Sequence, residues 1–292
     1  MNRVEMLSLT AKRRYATYSP LRYPGGKAKL AGLFTDVINH VGDISTYVEP
    51  YAGGAGAGLA LLIEEQIELL HINDLDPAVY SFWKVLVEEP WTLLEFIRTV
   101  DITVGEWHKQ KAIYQGTKRP TPELGLAFFF LNRANRSGIL NAGVIGGLEQ
   151  TGQYKINARF NRETLAERVE TIQRYGKQIM VTKRDGREII RQYGVDESAL
   201  LYIDPPYVKA GARLYLNALD GYDHISLSQT IRSFPEGNWI ITYDDHPLIH
   251  DLYRDEFNIP LLIRYSASRA VKAEEVMIAS PSMAEAIIEI HL

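Results

Sequence analysis

The sequence of 292 residues contains no cysteine. Disulfides, cysteine-ligated zinc, iron–sulfur clusters and any thiolate nucleophile are thereby excluded. There is no uninterrupted apolar run near the ~18 residues that a membrane span requires. A Gly-Lys-Ser/Thr phosphate loop is missing, as are internal repeats and low-complexity tracts. The first 19 residues carry Lys12, Arg13 and Arg14 with no apolar stretch behind them. That pattern argues against a secretory signal and makes the cytoplasm the expected location. No metal centre and no membrane partner are expected.

A surplus of positive charge is also missing, since the net charge is −4. Its distribution is uneven, however. From His108 to Arg191 there are 16 Lys and Arg against 7 Asp and Glu, while the remainder holds 16 against 29. Solvated helix faces are the plainer reading of such a surplus. The sharper one is a basic binding surface on an acidic scaffold, which suits a nucleic acid. With 46% apolar and 23% charged residues, the chain is long enough for one large domain carrying a sizeable insertion.

The chain is organised around Asp204-Pro205-Pro206-Tyr207, which follows the apolar run Leu200-Leu201-Tyr202-Ile203. An apolar run ending in a carboxylate and two prolines predicts a buried parallel strand that delivers its last side chain to a crevice. Pro205 bars Asp204 from helical backbone. The two prolines lack N–H groups, so nearby carbonyls can face a ligand without a competing donor. Tyr207 adds a flat stacking face. The result is a pocket suited to an NH2 group on a planar molecule.

Upstream, Leu21-Arg22-Tyr23-Pro24-Gly25-Gly26-Lys27 precedes a helical pattern of Leu30, Leu33, Phe34, Val37 and Ile38. Its Pro-Gly-Gly turn allows close backbone approach to a phosphate or carboxylate. Next, Tyr47-Val48-Glu49-Pro50-Tyr51 runs into a turn with glycines at 53, 54, 56 and 58, followed by a helix. Strand, glycine turn and helix form a nucleotide-binding arrangement. The strand Leu69–Asn73 ends at Asp74, 21 residues after Gly53, where an acid would accept ribose hydroxyls. A helical stretch is expected over 78–98, with Trp83 in the core. The α/β rhythm then lapses until Lys177 and returns with strands at 178–181, 200–203 and 238–243 and a hairpin at 259–265 and 275–279. The loop from Val208 to Tyr222 is long and polar enough for a lid. The segment Ser266–Ala270 is expected to be a mobile linker.

The expected fold is therefore a doubly wound α/β sheet, mostly parallel and Rossmann-like, with a C-terminal antiparallel hairpin. Residues 1–19 form a loose N-terminal segment, 20–99 and 177–292 a catalytic domain, and 100–176 an inserted, largely helical recognition domain. Arg133, Asn135, Arg136, Lys155 and Arg159, interleaved with aromatics, are the candidate DNA contacts. The glycine turn, Asp74 and Asp204 converge on one crevice and fit methyl transfer from S-adenosyl-L-methionine to an exocyclic amine. Hydrogen bonds from that amine to Asp204 and the Pro205 carbonyl would localise its lone pair and aim it for direct in-line displacement. A duplex hides such an amine, so the base must be flipped out.

Taken together, Asp-Pro-Pro-Tyr, Tyr-Val-Glu-Pro-Tyr-Ala-Gly-Gly-Ala-Gly, Arg-Tyr-Pro-Gly-Gly-Lys and Phe-Leu-Asn-Arg-x4-Gly-Ile resemble the Dam-type (D12 class) DNA adenine-N6 methyltransferases. They stand in that family's order, over roughly residues 20–280. The resemblance implies a Rossmann-like methyltransferase sheet, S-adenosyl-L-methionine as cofactor and adenine in double-stranded DNA as target. It implies that Tyr23, Lys27, Glu49, Gly53, Asp74 and Asp204 hold the cofactor and that Asp204, Pro205, Pro206 and Tyr207 perform the chemistry. It further implies a bacterial or phage-type setting, with a cognate restriction endonuclease as a candidate partner and a monomer as the default assembly. Tyr23 departs from the family's usual Trp, and Ile139 to Arg159 departs from the GATC readers, so GATC is not implied. Cytosine-N4 transfer, amino methylation of RNA or a protein glutamine, and a catalytically silent DNA-binding module stay open as alternatives.

Overall fold

Alternating apolar strands and amphipathic helices assemble into a seven-stranded sheet with helices on both faces. The computed structural model describes residues 15–22, 26–208, 219–265 and 271–291. Strands β1 (Thr46–Glu49), β2 (Leu69–Asn73), β3 (Ile179–Thr182), β4 (Ala199–Ile203) and β5 (Trp239–Asp244) are parallel. The hairpin of β6 (Phe257–Tyr265) and β7 (Val271–Ala279) closes one edge, with β7 antiparallel to β5. The order is β3-β2-β1-β4-β5-β7-β6. Chain order reverses between β1 and β4, and the crevice beyond their carboxyl ends is where such sheets bind ligands.

Parallel strands buried on both faces send successive side chains to opposite cores. Tyr47, Leu70, Ile72, Leu200, Tyr202 and Ile240 join α1 (Ala31–Val41), α2 (Gly56–Ile63), α3 (Pro77–Glu88) and α11 (Pro281–His291) in one cluster. Val48, Leu201, Ile203, Ile241 and Tyr243 join α8 (Gly186–Tyr193), α9 (Gly221–Arg232) and α10 (Pro247–Leu252) in the other. The first cluster continues without a break into α4 (Pro90–Thr99), α5 (Val104–Gly116), α6 (Pro122–Ala134) and α7 (Arg162–Gln173), inserted between β2 and β3. Helix α6 is buried almost all round, from Leu124 to Ala134, as befits the centre of a helical layer. It presses on α3 at Gly125, where an added Cβ would lie 2.7 Å from the Ser81 backbone.

Several expectations are corrected. The single helix expected over 78–98 is two helices, α3 and α4. Pro90 cannot donate an N–H and forces Glu89 out of helical backbone, to φ −131° and ψ 50°. Residues 15–19 are tied down rather than loose: Tyr15 bonds Thr35, Tyr18 bonds Glu64, and the Ser19 hydroxyl donates to the Gly54 carbonyl. Tyr222, expected at the end of a lid, lies in α9, whose start is fixed by an Asp220–Asp223 capping box. The rest of that lid (209–218) and the linker 266–270 lie outside the described residues. Helix α11 was not anticipated; it packs against the first core through Met283, Ala286 and Ile287.

Candidate active site

Strand β4 is buried along its whole length and releases Asp204 at its carboxyl end, beside Thr242 of β5. The Asp204 carboxylate is densely held. Lys27 Nζ lies 3.1 and 3.0 Å from its two oxygens, and Thr242 Oγ1 donates to Oδ1 at 2.9 Å. The Tyr202 hydroxyl in turn contacts Thr242 at 2.7 Å. Tyr207 turns its hydroxyl inward, 3.2 Å from Asp204 Oδ1 and 2.8 Å from Glu275 Oε1. Lys27 also reaches that hydroxyl, at 2.6 Å, and lies 3.5 Å from Glu275 Oε2. One ammonium and one phenol thus serve two carboxylates. Burial pushes Glu275 up to about 7, with Lys27 opposing and Asp204 adding to the shift.

The glycine turn lies beside this cluster, at the carboxyl end of β1. Gly53 has φ +48°, a conformation that glycine adopts without strain. Its N–H donates to Asp74 Oδ2 at 3.0 Å, and its carbonyl accepts from the Trp83 indole at 2.9 Å. Asp74 also accepts from the Asp76 N–H through Oδ1. Burial, then the neighbouring Asp76 charge, raises Asp74 to about 7. Glu49 is buried under the turn, where its Oε1 accepts from the Gly58 N–H of α2 at 3.0 Å. Burial raises it to about 8. A Cβ at Gly58 would meet the Leu70 side chain at 2.5 Å, so α2 packs closely on the side chains of β2. Tyr23 lies outside the described residues.

Comparison with known proteins decides the family. The model of the D12 class N6 adenine-specific DNA methyltransferases matches residues 23–264. The chain belongs to that family. A curated relative, the Type II methyltransferase M.MjaIII of Methanocaldococcus jannaschii, is 24% identical over 202 residues, covering 64% of this chain and 68% of the relative. Among solved structures, the rRNA methyltransferase aviRa from Streptomyces viridochromogenes is similar at a TM-score of 0.36 and 12% identity, covering 90% of this chain and 89% of that one. So slight a likeness bears on neither substrate nor mechanism. As a D12 class member the chain is a DNA methyltransferase, with DNA as its substrate.

In this D12 methyltransferase the candidate DNA contacts separate into three groups. Asn135 is fully buried and its amide is spent. It accepts from the Trp107 indole at 2.7 Å and donates to the Ile139 and Leu140 carbonyls. It therefore anchors the following loop, and the expectation that it touches DNA is corrected. Arg133 is half-buried, donating to the carbonyls of Arg159 and Pro20. Burial and the nearby charges of Arg22, Arg168 and Arg159 lower it to about 9. Among the described residues, none of these four arginines pairs with a carboxylate, which leaves a concentrated positive patch. Arg136, Lys155 and Arg159 are exposed. Arg136 faces a different way from Arg133, lining a cleft of about 590 Å³ with Trp107, His108, Lys111 and Leu148.

Sequence reasoning missed Glu275, Thr242 and Asn132. Glu275 read only as the start of a strand. A carboxylate directly before the apolar run Val276–Ala279 was the available signal. Asn132, in Phe-Leu-Asn-Arg, accepts from the Arg22 N–H at 2.8 Å and donates to the Arg22 carbonyl at 2.9 Å. It thereby ties the Lys27 segment to α6.

Proposed function

We propose that this chain transfers a methyl group from S-adenosyl-L-methionine to the N6 amine of an adenine flipped out of duplex DNA. The observation that carries the reading is the placement of Asp204 at the end of β4, next to the glycine turn and Asp74 across the sheet's switch point. The residues fit the cofactor. Gly53 takes the positive φ that the turn requires, and Asp74 offers acceptor oxygens at the end of β2. Glu49 stiffens the turn from below. When bound, the cofactor supplies an electrophilic methyl group. The chain's own residues do the rest: Asp204 and the Pro205 carbonyl hold the two amine hydrogens, keep the nitrogen lone pair out of the ring and stabilise the charge it acquires. Asp204 then takes the proton that the nitrogen must shed.

The arginine patch of Arg22, Arg133, Arg159 and Arg168, with exposed Lys155 and with Arg136 at the separate cleft, supports duplex DNA as the substrate form by offering cations to phosphates. Methylation-sensitive sequencing of DNA from cells expressing the protein tests the reading directly. Modified adenine in a fixed context is expected; modified cytosine, or unmodified DNA with methylated RNA, would refute it. Asp204→Ala is expected to lower methyl transfer at least about a hundredfold while DNA affinity survives. Turnover near that of the unsubstituted enzyme would remove Asp204 from the mechanism.

A further inference from the structure

Asp204 is asked to hold an amine, yet its oxygens are already engaged. Oδ1 accepts from Lys27, Thr242 and Tyr207, and Oδ2 accepts from Lys27. An ammonium lying across both oxygens competes with an incoming N–H. It also spends the negative charge that should stabilise the nitrogen as it becomes cationic. Somewhere near Asp204 there must be a second acceptor for Lys27. The structure offers one, Glu275, whose Oε2 lies 3.5 Å from Lys27 Nζ, against 3.0 Å for Asp204 Oδ2.

We propose that Glu275 is a positioning residue for methyl transfer: it shares Lys27 and Tyr207 with Asp204 and draws the ammonium to itself when the target amine engages Asp204. A shift of about half an ångström would exchange the two partners, with no charge moved out of the buried cluster. The same contact holds the Tyr207 hydroxyl, so the ring that would face the base stays in one orientation. The inference rests on the adenine-N6 reading above.

The following groups face Glu275 among the described residues. Asp204 and Tyr207 approach from the end of β4 and Lys27 from the turn before α1. Tyr202 feels its charge from β4. Asp244, directly opposite on β5, accepts the Val208 N–H through Oδ1. Burial leaves the Glu275 carboxyl titrating at about 7. Above that pH it is ionised and can receive Lys27; below it, it is protonated and the ammonium stays on Asp204. Transfer should therefore fall as pH drops through about 7.

The test measures single-turnover methyl transfer to duplex DNA from about pH 5.5 to about pH 9 for the unsubstituted enzyme, Glu275→Gln and Glu275→Asp. Base capture is followed in parallel by the fluorescence of 2-aminopurine at the target position. Glu275→Gln is expected to lower the rate at alkaline pH by ~10- to 100-fold and to lose the step near neutrality. KM for DNA and the 2-aminopurine signal should change little, and Glu275→Asp should restore part of the rate and the step. If Glu275→Gln keeps both rate and step, or if base capture fails along with turnover in both variants, the positioning role is overturned. An unsubstituted enzyme that does not methylate adenine would instead sink the reading beneath it.

Discussion

At the scale of single residues, the site runs on carboxyls whose protonation burial controls. Glu49 is buried, with the Gly58 N–H donating to it and Asp204 as a repulsive neighbour. Its folded pKa of about 8 lies above the ordinary glutamate value. A raised acid contributes stability that is fully present below the unfolded pKa, near 4.5, and is lost as pH rises through about 8. Glu49→Gln keeps an oxygen to accept from Gly58 but does not ionise. Its melting temperature should match that of the unsubstituted protein near pH 4.5 and exceed it by several degrees above about pH 8. Thermal unfolding across that range checks this, and parallel curves would show that Glu49 takes up no proton on folding.

At the scale of elements, the insertion owes its rigidity to α6. Nine of the 13 residues of this helix are buried, and its face against α3 is levelled by Gly125. Exchanging glycine for alanine within a helix normally gains about 1 kcal/mol of propensity. Here the new Cβ would sit 2.7 Å from backbone atoms of Ser81, which cannot swing aside as a flexible side chain can. Overpacking of this kind costs about 1–3 kcal/mol. Gly125→Ala is therefore expected to be destabilising on balance, by about 1–2 kcal/mol in denaturant unfolding. A stabilised variant would mean that α3 and α6 can separate freely. The same packing carries Asn132 to Arg22, so loosening α6 would also loosen the segment that presents Lys27.

At the scale of the whole molecule, an acidic chain presents a positive face. The exposed cations Arg136 and Arg159 lie on different parts of the insertion, one lining the cleft with Lys111 and the other stacked over Tyr154 at 5.8 Å. If each meets a phosphate, replacing both with glutamine should weaken duplex binding at low salt. It should also reduce the slope of log affinity against log salt by about 2. Fluorescence anisotropy over a salt series reads this. An unchanged slope would place the DNA elsewhere.

Much of the fold was legible because it is written in short range. Runs of four to six residues rich in apolar side chains, each ended by an acid or a turn, mark β2, β4 and β5, and the shorter Tyr47-Val48 pair marks β1. Glycines and prolines mark the bends between them, since those residues act on their own backbone. Asp204, Asp74, Gly53 and Lys27 could be placed at strand ends and turns for the same reason, while the roles proposed for them drew on the family resemblance. The chain itself thus determined the α/β class, the strand ends and the chemistry they can offer. Tertiary structure alone decided which polar groups meet. Glu275 joins Tyr207 across 68 residues, through the antiparallel pairing of β7 with β5. Asn135 and Arg136, adjacent in sequence, are sorted into a buried anchor and an exposed cation by the way α6 ends against Trp107. Burial and long-range pairing depend on how whole elements pack, and no local pattern records that.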